Sequence, residues 1–304
     1  MPKIAFMFPG QGAQYTGMGQ DFYEKIPESR AIFEKASQVT GMDLPELCFT
    51  ENEKLNVTAY TQIAILTASA AILEAVKSRG IISQVNAGLS LGEYGALTAS
   101  GVLTFEDAAR VVVKRGQYMQ EAVPTGGAMS AVLGMDAGRI EEVLEKTPGI
   151  VSVANYNCPG QIVITGEAGA VAEASGRLKA AGAKRILPLK VSGPFHSALL
   201  KDAGERLSKV LEQVEIRDIR IPYLTNVTAD YVTDKEMVRE LLKQQISSPV
   251  RWQQSVERML ADGVDTFLEI GPGRTLSGFV KKISREAKAY SIQTTEDLEK
   301  LDLN

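Results

Sequence analysis

Behind Lys3 the positions 4–8 are all apolar and stop at Pro9-Gly10-Gln11-Gly12, which predicts a buried strand over 3–8 followed by a tight turn. Functional loops of α/β proteins sit at such strand ends. Residues 61–79 are apolar almost all round, the pattern of a helix packed inside a large domain. Residues 85–89 read as a second short strand, leading into Ser90. Thr104-Phe105-Glu106-Asp107 carries a capping signal and opens a predicted helix that runs to about Ala122, with Pro124 and Gly126-Gly127 behind it.

From 128 to 191 the rhythm shortens. The pattern predicts strand 128–134, helix 137–146, strands 151–155 and 161–165, helix 168–181 and strand 185–191. This β-α-β-β-α-β order is that of a ferredoxin-like unit, compact enough to sit as an insertion in a host domain. The host pattern then resumes with helix 197–214, strand 221–224, helices 234–245 and 253–262, strand 264–270 and a helix from Thr275. The acidic tail 294–304 reads as a frayed or surface helix. The expected class is α/β, with a discontinuous main domain (1–125 and 192–304) around a ferredoxin-like subdomain (126–191).

With 304 residues, 44% of them hydrophobic, the chain can build a sizeable core. A net charge of −4 supplies no global field for nucleic acid or an anionic membrane, and no stretch reads as long enough to cross a bilayer. A soluble cytoplasmic monomer is the expectation. Cys48 and Cys158 fit neither a disulfide framework nor a metal knuckle and are read as reduced thiols. The chain has a single histidine, His196, which excludes histidine-cluster metal sites and zinc motifs of the HExxH kind. No metal is expected.

Gly88-Leu89-Ser90-Leu91-Gly92 matches G-x-S-x-G between an apolar strand and a helical pattern, where a nucleophile elbow belongs. In that setting the serine hydroxyl is exposed, and the helix behind it aims free N–H groups at the place where an oxyanion forms. The plain alternative is a Gly-Ser turn. A serine nucleophile needs a base, and the one imidazole available is His196, on the loop Ser192-Gly193-Pro194-Phe195-His196-Ser197. A lone histidine is otherwise as often structural. Arg115 falls on an apolar stripe with Ala108, Val112, Met119 and Ala122, so its guanidinium faces the core and needs an anionic partner. That partner is either an internal carboxylate or the carboxylate of a substrate. Gly271-Pro272-Gly273-Arg274-Thr275 fits no nucleotide-binding spacing and reads as a tight turn, or else as a pocket wall.

Taken together, these motifs resemble the malonyl-CoA:acyl carrier protein transacylases of fatty acid synthesis. The likeness runs from Pro9-Gly10-Gln11-Gly12 through Gly88 to Glu93, Lys114-Arg115-Gly116, Asn155-Tyr156-Asn157, Gly193 to Ser197, and Ser248-Pro249-Val250 to the Gly271 turn. It implies an α/β-hydrolase-like main domain with a ferredoxin-like insertion. It also implies that Ser90 carries the malonyl group, that His196 is general base and acid, and that the backbone N–H groups of Gln11 and Leu91 form the oxyanion hole. Arg115 would then hold the malonyl carboxylate, and the main-chain carbonyl of Gln245 would orient His196. Asn155 and Phe195 would line the pocket, with Phe195 favouring malonyl over methylmalonyl by about 1 to 3 kcal/mol. One departure is Leu89, where the family often has a histidine. Malonyl-CoA is the implied substrate and acyl carrier protein the implied acidic, transient partner, with no tightly bound cofactor. Lys184-Arg185, Lys190 and Lys281-Lys282 are candidate contacts for it, and solvated surface lysines are the plain alternative. Competing readings are an acyltransferase of a polyketide pathway, a serine thioesterase with the same Ser-His pair, and a non-catalytic protein that only docks carrier protein.

Overall fold

A computed structural model describes residues 2–191 and 193–303; Ser192, at the expected domain boundary, lies outside the described residues. The elements run β1 (Ile4–Phe8), α1 (Gln20–Lys25), α2 (Pro27–Thr40), α3 (Leu44–Phe49), α4 (Thr58–Ser78), β2 (Val85–Gly88), α5 (Gly92–Ala99) and α6 (Phe105–Ala122). They continue as β3 (Gly127–Leu133), α7 (Ala137–Glu145), β4 (Val151–Cys158), β5 (Gln161–Glu167), α8 (Ala168–Ala180), β6 (Arg185–Pro188) and α9 (Lys201–Leu211). Last come α10 (Val238–Gln245), α11 (Trp252–Ala261), β7 (Thr266–Ile270), α12 (Thr275–Ile283), β8 (Lys288–Ile292) and α13 (Thr295–Glu299).

Two sheets organise these elements. A parallel sheet has the order β2-β1-β7-β8, and an antiparallel one has the order β4-β5-β3-β6. β1 and β7 are buried along their whole length; β1 accordingly reads as an unbroken apolar run, while β7 carries Thr266 and Glu269, the latter accepting the Leu276 and Ser277 N–H groups at the start of α12. Phe8 lies opposite Gly88, so β1 and β2 end side by side and their loops emerge together. α4 is buried on nearly every side and α6 packs beside it, its start capped by Thr104 Oγ1, which accepts the Asp107 N–H at 3.0 Å. The antiparallel sheet is tied to the rest of the chain through Val250, whose N–H donates to the Ala154 carbonyl (2.8 Å) and whose carbonyl accepts from Tyr156 (2.9 Å).

Several expectations need correction. Residues 221–224 form no named strand: Tyr223 makes one parallel bridge to Asn86 and Leu224 one antiparallel bridge to Tyr231, because Pro222 cannot donate to a ladder. The helix expected at 197–214 opens as a 3-10 turn over Ala198–Leu200 and becomes α-helical at Lys201. Of the two readings of the tail the surface helix holds and the frayed one does not: a capping box at Thr294 and Asp297 starts α13, Glu296 and Glu299 face solvent, and Leu298 is buried. α4, at 21 residues, is long and apolar enough to cross a bilayer by composition, contrary to the sequence reading, and it is spent instead as a core helix. The helices α1 to α3 and the edge strand β8 had no sequence reading.

The turn from β2 into α5 leaves no room for side chains at its glycines. A Cβ on Gly92 would sit 2.0 Å from the Phe8 carbonyl oxygen, and one on Gly88 would sit 2.0 Å from the Gly92 backbone. Gly92→Ala is expected to cost about 3 kcal/mol, read as a lower urea midpoint. Gly176→Ala on α8, where an added Cβ meets nothing within 4 Å, should be neutral or stabilising in the same assay.

Candidate active site

Between the end of β2 at Gly88 and the start of α5 at Gly92 the chain reverses sharply, and Ser90 takes the left-handed conformation at φ 55°. A non-glycine residue there is strained and must be held by its surroundings. The Asn226 side chain holds it from both sides: Nδ2 donates to the Gly88 carbonyl at 2.7 Å and Oδ1 accepts the Ser90 N–H at 2.6 Å. His196 is the second strained residue, at φ 60° on the loop after β6. Its Nε2 lies 2.8 Å from Ser90 Oγ and its Nδ1 lies 2.9 Å from the Gln245 carbonyl oxygen. A carbonyl can only accept, so the ring proton sits on Nδ1 and the Nε2 lone pair faces the serine.

Arg115 is fully buried on α6 and reaches the same serine, with Nη2 donating to Ser90 Oγ at 3.1 Å and to Gln245 Oε1 at 3.0 Å. Its Nη1 donates to Gln62 Oε1 at 2.7 Å, its Nε has no partner, and its guanidinium lies 5.6 Å from the Tyr94 ring centre. Among the described residues no carboxylate forms a salt bridge with it, so the internal ion pair considered from sequence is not what holds this charge. The backbone N–H groups of Gln11 and Leu91 donate to no group among the described residues, and both residues line the cavity that Ser90 opens into. The Ser90 N–H is already taken by Asn226, which leaves Leu91 as the elbow's free donor.

That cavity, about 630 Å³, lies between the ends of β1 and β2 on one side and β3 to β5 on the other. Asn155 and Phe195 are on its wall, as are Leu89 and Met129. Of the Gly271 turn, the residues just behind it, Thr275 and Phe279, form part of the wall. Ser90, His196, Arg115, Gln11, Leu91 and Gln245 therefore converge on one place. Lys190 is exposed and lines the cavity; Lys184, Arg185, Lys281 and Lys282 are exposed outside the lining, Lys282 Nζ donating to the lining residue Gln161 at 3.4 Å and Lys281 lining a separate pocket with Tyr290 and Asp297.

The acyl transferase domain family matches residues 5–297 of this chain. The malonyl CoA-acyl carrier protein transacylase of Bacillus subtilis is 48% identical over 98% of this chain and 96% of its own length. The solved structure of MCAT from Streptococcus pneumoniae superposes with a TM-score of 0.95 at 49% identity, covering 98% of this chain and 100% of the other. The chain belongs to the malonyl-CoA:acyl carrier protein transacylase family. A third similar structure, a malonyl-transacylase in complex with a type II polyketide acyl carrier protein, has a TM-score of 0.95 at 43% identity and covers 98% of each chain.

Three residues of this transacylase site escaped sequence reasoning. Gln62 had a signal, being a polar residue inside an all-round apolar helix. Glu93 looked like an ordinary acid in a first helical turn, and Asn226 had no local signal at all. Glu93 is buried; its Oε2 accepts from Gln245 Nε2 (2.7 Å) and the Asn226 N–H (3.0 Å), while Oε1 has no partner. Burial pushes its carboxyl up to about 7, against the pull of those hydrogen bonds and of Arg115.

Burial, and after it the charge of Arg115, pushes His196 down to about 4, opposed in part by the Gln245 hydrogen bond. The imidazole is therefore a neutral, available base throughout the neutral range. Modification of Ser90 by an uncharged sulfonyl fluoride should stay fast as the pH is lowered and fall with a midpoint near pH 4. A midpoint near 6.5, the ordinary histidine value, would show that the site does not depress the imidazole.

Proposed function

We propose that this protein transfers malonyl from coenzyme A to the phosphopantetheine thiol of acyl carrier protein in fatty acid synthesis, through a malonyl ester on Ser90. The observation that carries this reading is the convergence on Ser90 Oγ of a neutral base at 2.8 Å and a buried guanidinium at 3.1 Å that has no internal carboxylate.

In the first half-reaction Ser90 Oγ attacks the thioester carbonyl while His196 Nε2 takes its proton. The oxygen gains negative charge in front of the Gln11 and Leu91 N–H groups. Collapse breaks the carbon–sulfur bond, and the proton on His196 goes to the departing thiolate. The second half-reaction runs these steps in reverse: His196 takes the proton of the carrier thiol, the thiolate attacks the ester, the bond to Ser90 Oγ breaks, and His196 returns the proton to that oxygen. Gln245 holds the Nδ1–H of His196, so the ring is fixed in the tautomer both halves need. The malonyl carboxylate sits on Arg115, which supplies the anion that its burial calls for. Phe195 and Asn155 shape the wall beside the acyl group. The steps involve no change of oxidation state, and Ser90, His196 and the two backbone N–H groups supply the nucleophile, the base and the oxyanion donors.

The same reading extends to architecture and setting. Strand order β4-β5-β3-β6 in the antiparallel sheet supports a ferredoxin-like subdomain at 126–191, and the parallel sheet with its elbow supports a hydrolase-like main domain at 1–125 and 192–304. Every catalytic group comes from one chain, which suits a monomer. Free buried thiols at Cys48 and Cys158 suit a reducing cytoplasm. Lys190, which lines the cavity, and the exposed Lys184, Arg185, Lys281 and Lys282 remain the candidate basic contacts for an acidic carrier. Similarity to a polyketide malonyl-transacylase makes a polyketide carrier the second acceptor to assay. A thioesterase reading leaves Arg115 without a task.

Mixing with malonyl-CoA should add one malonyl mass to Ser90, and carrier protein should then remove it; absence of the adduct overturns the proposal. Arg115→Ala should lower kcat/KM for malonyl about 100-fold while sparing acetyl transfer. Equal losses on both donors would remove the carboxylate role.

A further inference from the structure

Of the buried titratable groups that the mechanism does not use, Glu93 is the acid linked to the Arg115 guanidinium. Glu93 is fully buried one turn behind the nucleophile, on α5, and touches neither Ser90 Oγ nor the cavity. A single side chain separates it from Arg115: Gln245 accepts from Arg115 Nη2 at 3.0 Å through its Oε1 and donates to Glu93 Oε2 at 2.7 Å through its Nε2. The same amide also donates to the Ser90 carbonyl at 3.0 Å. Glu93 is thus the acid wired through one amide to a guanidinium that has no direct anionic partner. On its other side the Thr225 hydroxyl faces the carboxylate and, with the Asn226 N–H and Gln245, favours its ionised form against the cost of burial.

We propose that the Glu93 carboxyl is the internal counter-charge of Arg115 and competes with the substrate's carboxylate for it. The charge on Glu93 then sets how strongly the site prefers acid-ended over neutral acyl groups. This rests on the reading that Arg115 receives the malonyl carboxylate.

Two negative groups cannot both enjoy the field of one buried guanidinium in a low-dielectric setting without repelling each other. When Glu93 is ionised, Arg115 is already partly neutralised and the incoming carboxylate meets a like charge behind it. When Glu93 is protonated, the full positive charge is offered to the substrate. Malonyl capture is therefore strongest at low pH and weakens as Glu93 loses its proton, a change centred near pH 7. By reciprocity, malonyl binding makes Glu93 hold its proton more tightly. The groups facing Glu93 from the elements around it are Arg115 on α6, Tyr94 on its own helix, Tyr223, Thr225 and Asn226 on the segment before α10, and Gln245 at the end of α10. Burial pushes both tyrosines up and out of the neutral range, and Arg115 keeps its proton. Glu93 is thus the group in this cluster that changes charge near neutrality.

The test is the ratio of kcat/KM for malonyl-CoA to that for acetyl-CoA, measured from about pH 5.5 to about pH 8.5. His196, Ser90 and the coenzyme contribute equally to both donors and cancel. In the unmodified protein the ratio should fall about three- to tenfold as the pH rises, the effect of roughly half to one unit of interaction between the two carboxylates. In Glu93→Gln, which keeps the shape and can accept from Gln245 and the Asn226 N–H, the ratio should be independent of pH and stay at or above the low-pH level. A merely structural role for Glu93 would lower thermal stability in that variant without moving the ratio. A flat ratio in the unmodified protein, or an unchanged slope in Glu93→Gln, overturns the proposal; the first outcome needs no variant to fold. Arg115→Ala in parallel separates the two ideas. If it weakens malonyl selectively while the ratio is flat, only the Glu93 proposal fails, and if it weakens both donors equally, the reading beneath it fails as well.

Discussion

A serine hydroxyl can be presented at the head of a helix only if the chain reverses within the few residues between Gly88 and Gly92, and that reversal forces Ser90 to φ 55°. The strain is held from three directions. Backbone packs against backbone at Gly88 and Gly92, where any Cβ would collide. The Asn226 amide spans the bend and satisfies one acceptor and one donor at once. The strand ends of β1 and β2 align so that the Gln11 loop lies beside the elbow. Because Asn226 consumes the Ser90 N–H, the donors that remain free near the hydroxyl are those of the following residue and of the neighbouring loop. The constraint that makes the turn thereby also decides which backbone donors stay free beside the hydroxyl.

Gln245 links the two halves of this chemistry. Its carbonyl fixes the His196 ring, and its amide accepts from Arg115 and donates to the Ser90 carbonyl and to Glu93. Displacing this one residue would disturb the base, the elbow and the guanidinium together. The burial that makes the arrangement rigid also sets its electrostatics. It keeps the imidazole neutral, raises the Glu93 carboxyl, and leaves Arg115 among amides rather than carboxylates. A buried guanidinium held by neutral partners still has much of its field to give, which is what recognition of an acid-ended acyl group requires.

Much of this was legible in the residues. The apolar run into Pro9-Gly10-Gln11-Gly12, the strand into G-x-S-x-G and the Thr104 cap each arise from contacts within a few positions, and each is present in the structure. A single histidine left one candidate imidazole, and the structure places its Nε2 2.8 Å from Ser90 Oγ. Arg115 announced itself as a charge on an apolar stripe, and its burial followed from helical geometry. The short bridges around Tyr223 and the edge strand β8 were not legible, because a strand's existence there depends on which neighbour it finds rather than on its own pattern.

What the sequence determined by itself is the set of chemically committed residues and the local turns that present them, since periodicity, caps and glycine requirements act over a few residues. What the tertiary structure decided is which of them meet. Asn226 stands 136 residues from the serine whose N–H it accepts, and Gln245 stands 155 residues from the serine whose carbonyl it donates to. At Arg115 only the folded chain shows that Gln62 and Gln245 hold the guanidinium and that Glu93 stands behind the Gln245 amide rather than in a direct ion pair. Hydrogen bonds between segments this far apart leave no periodic trace in the chain, and they exist only once the core has brought the segments together.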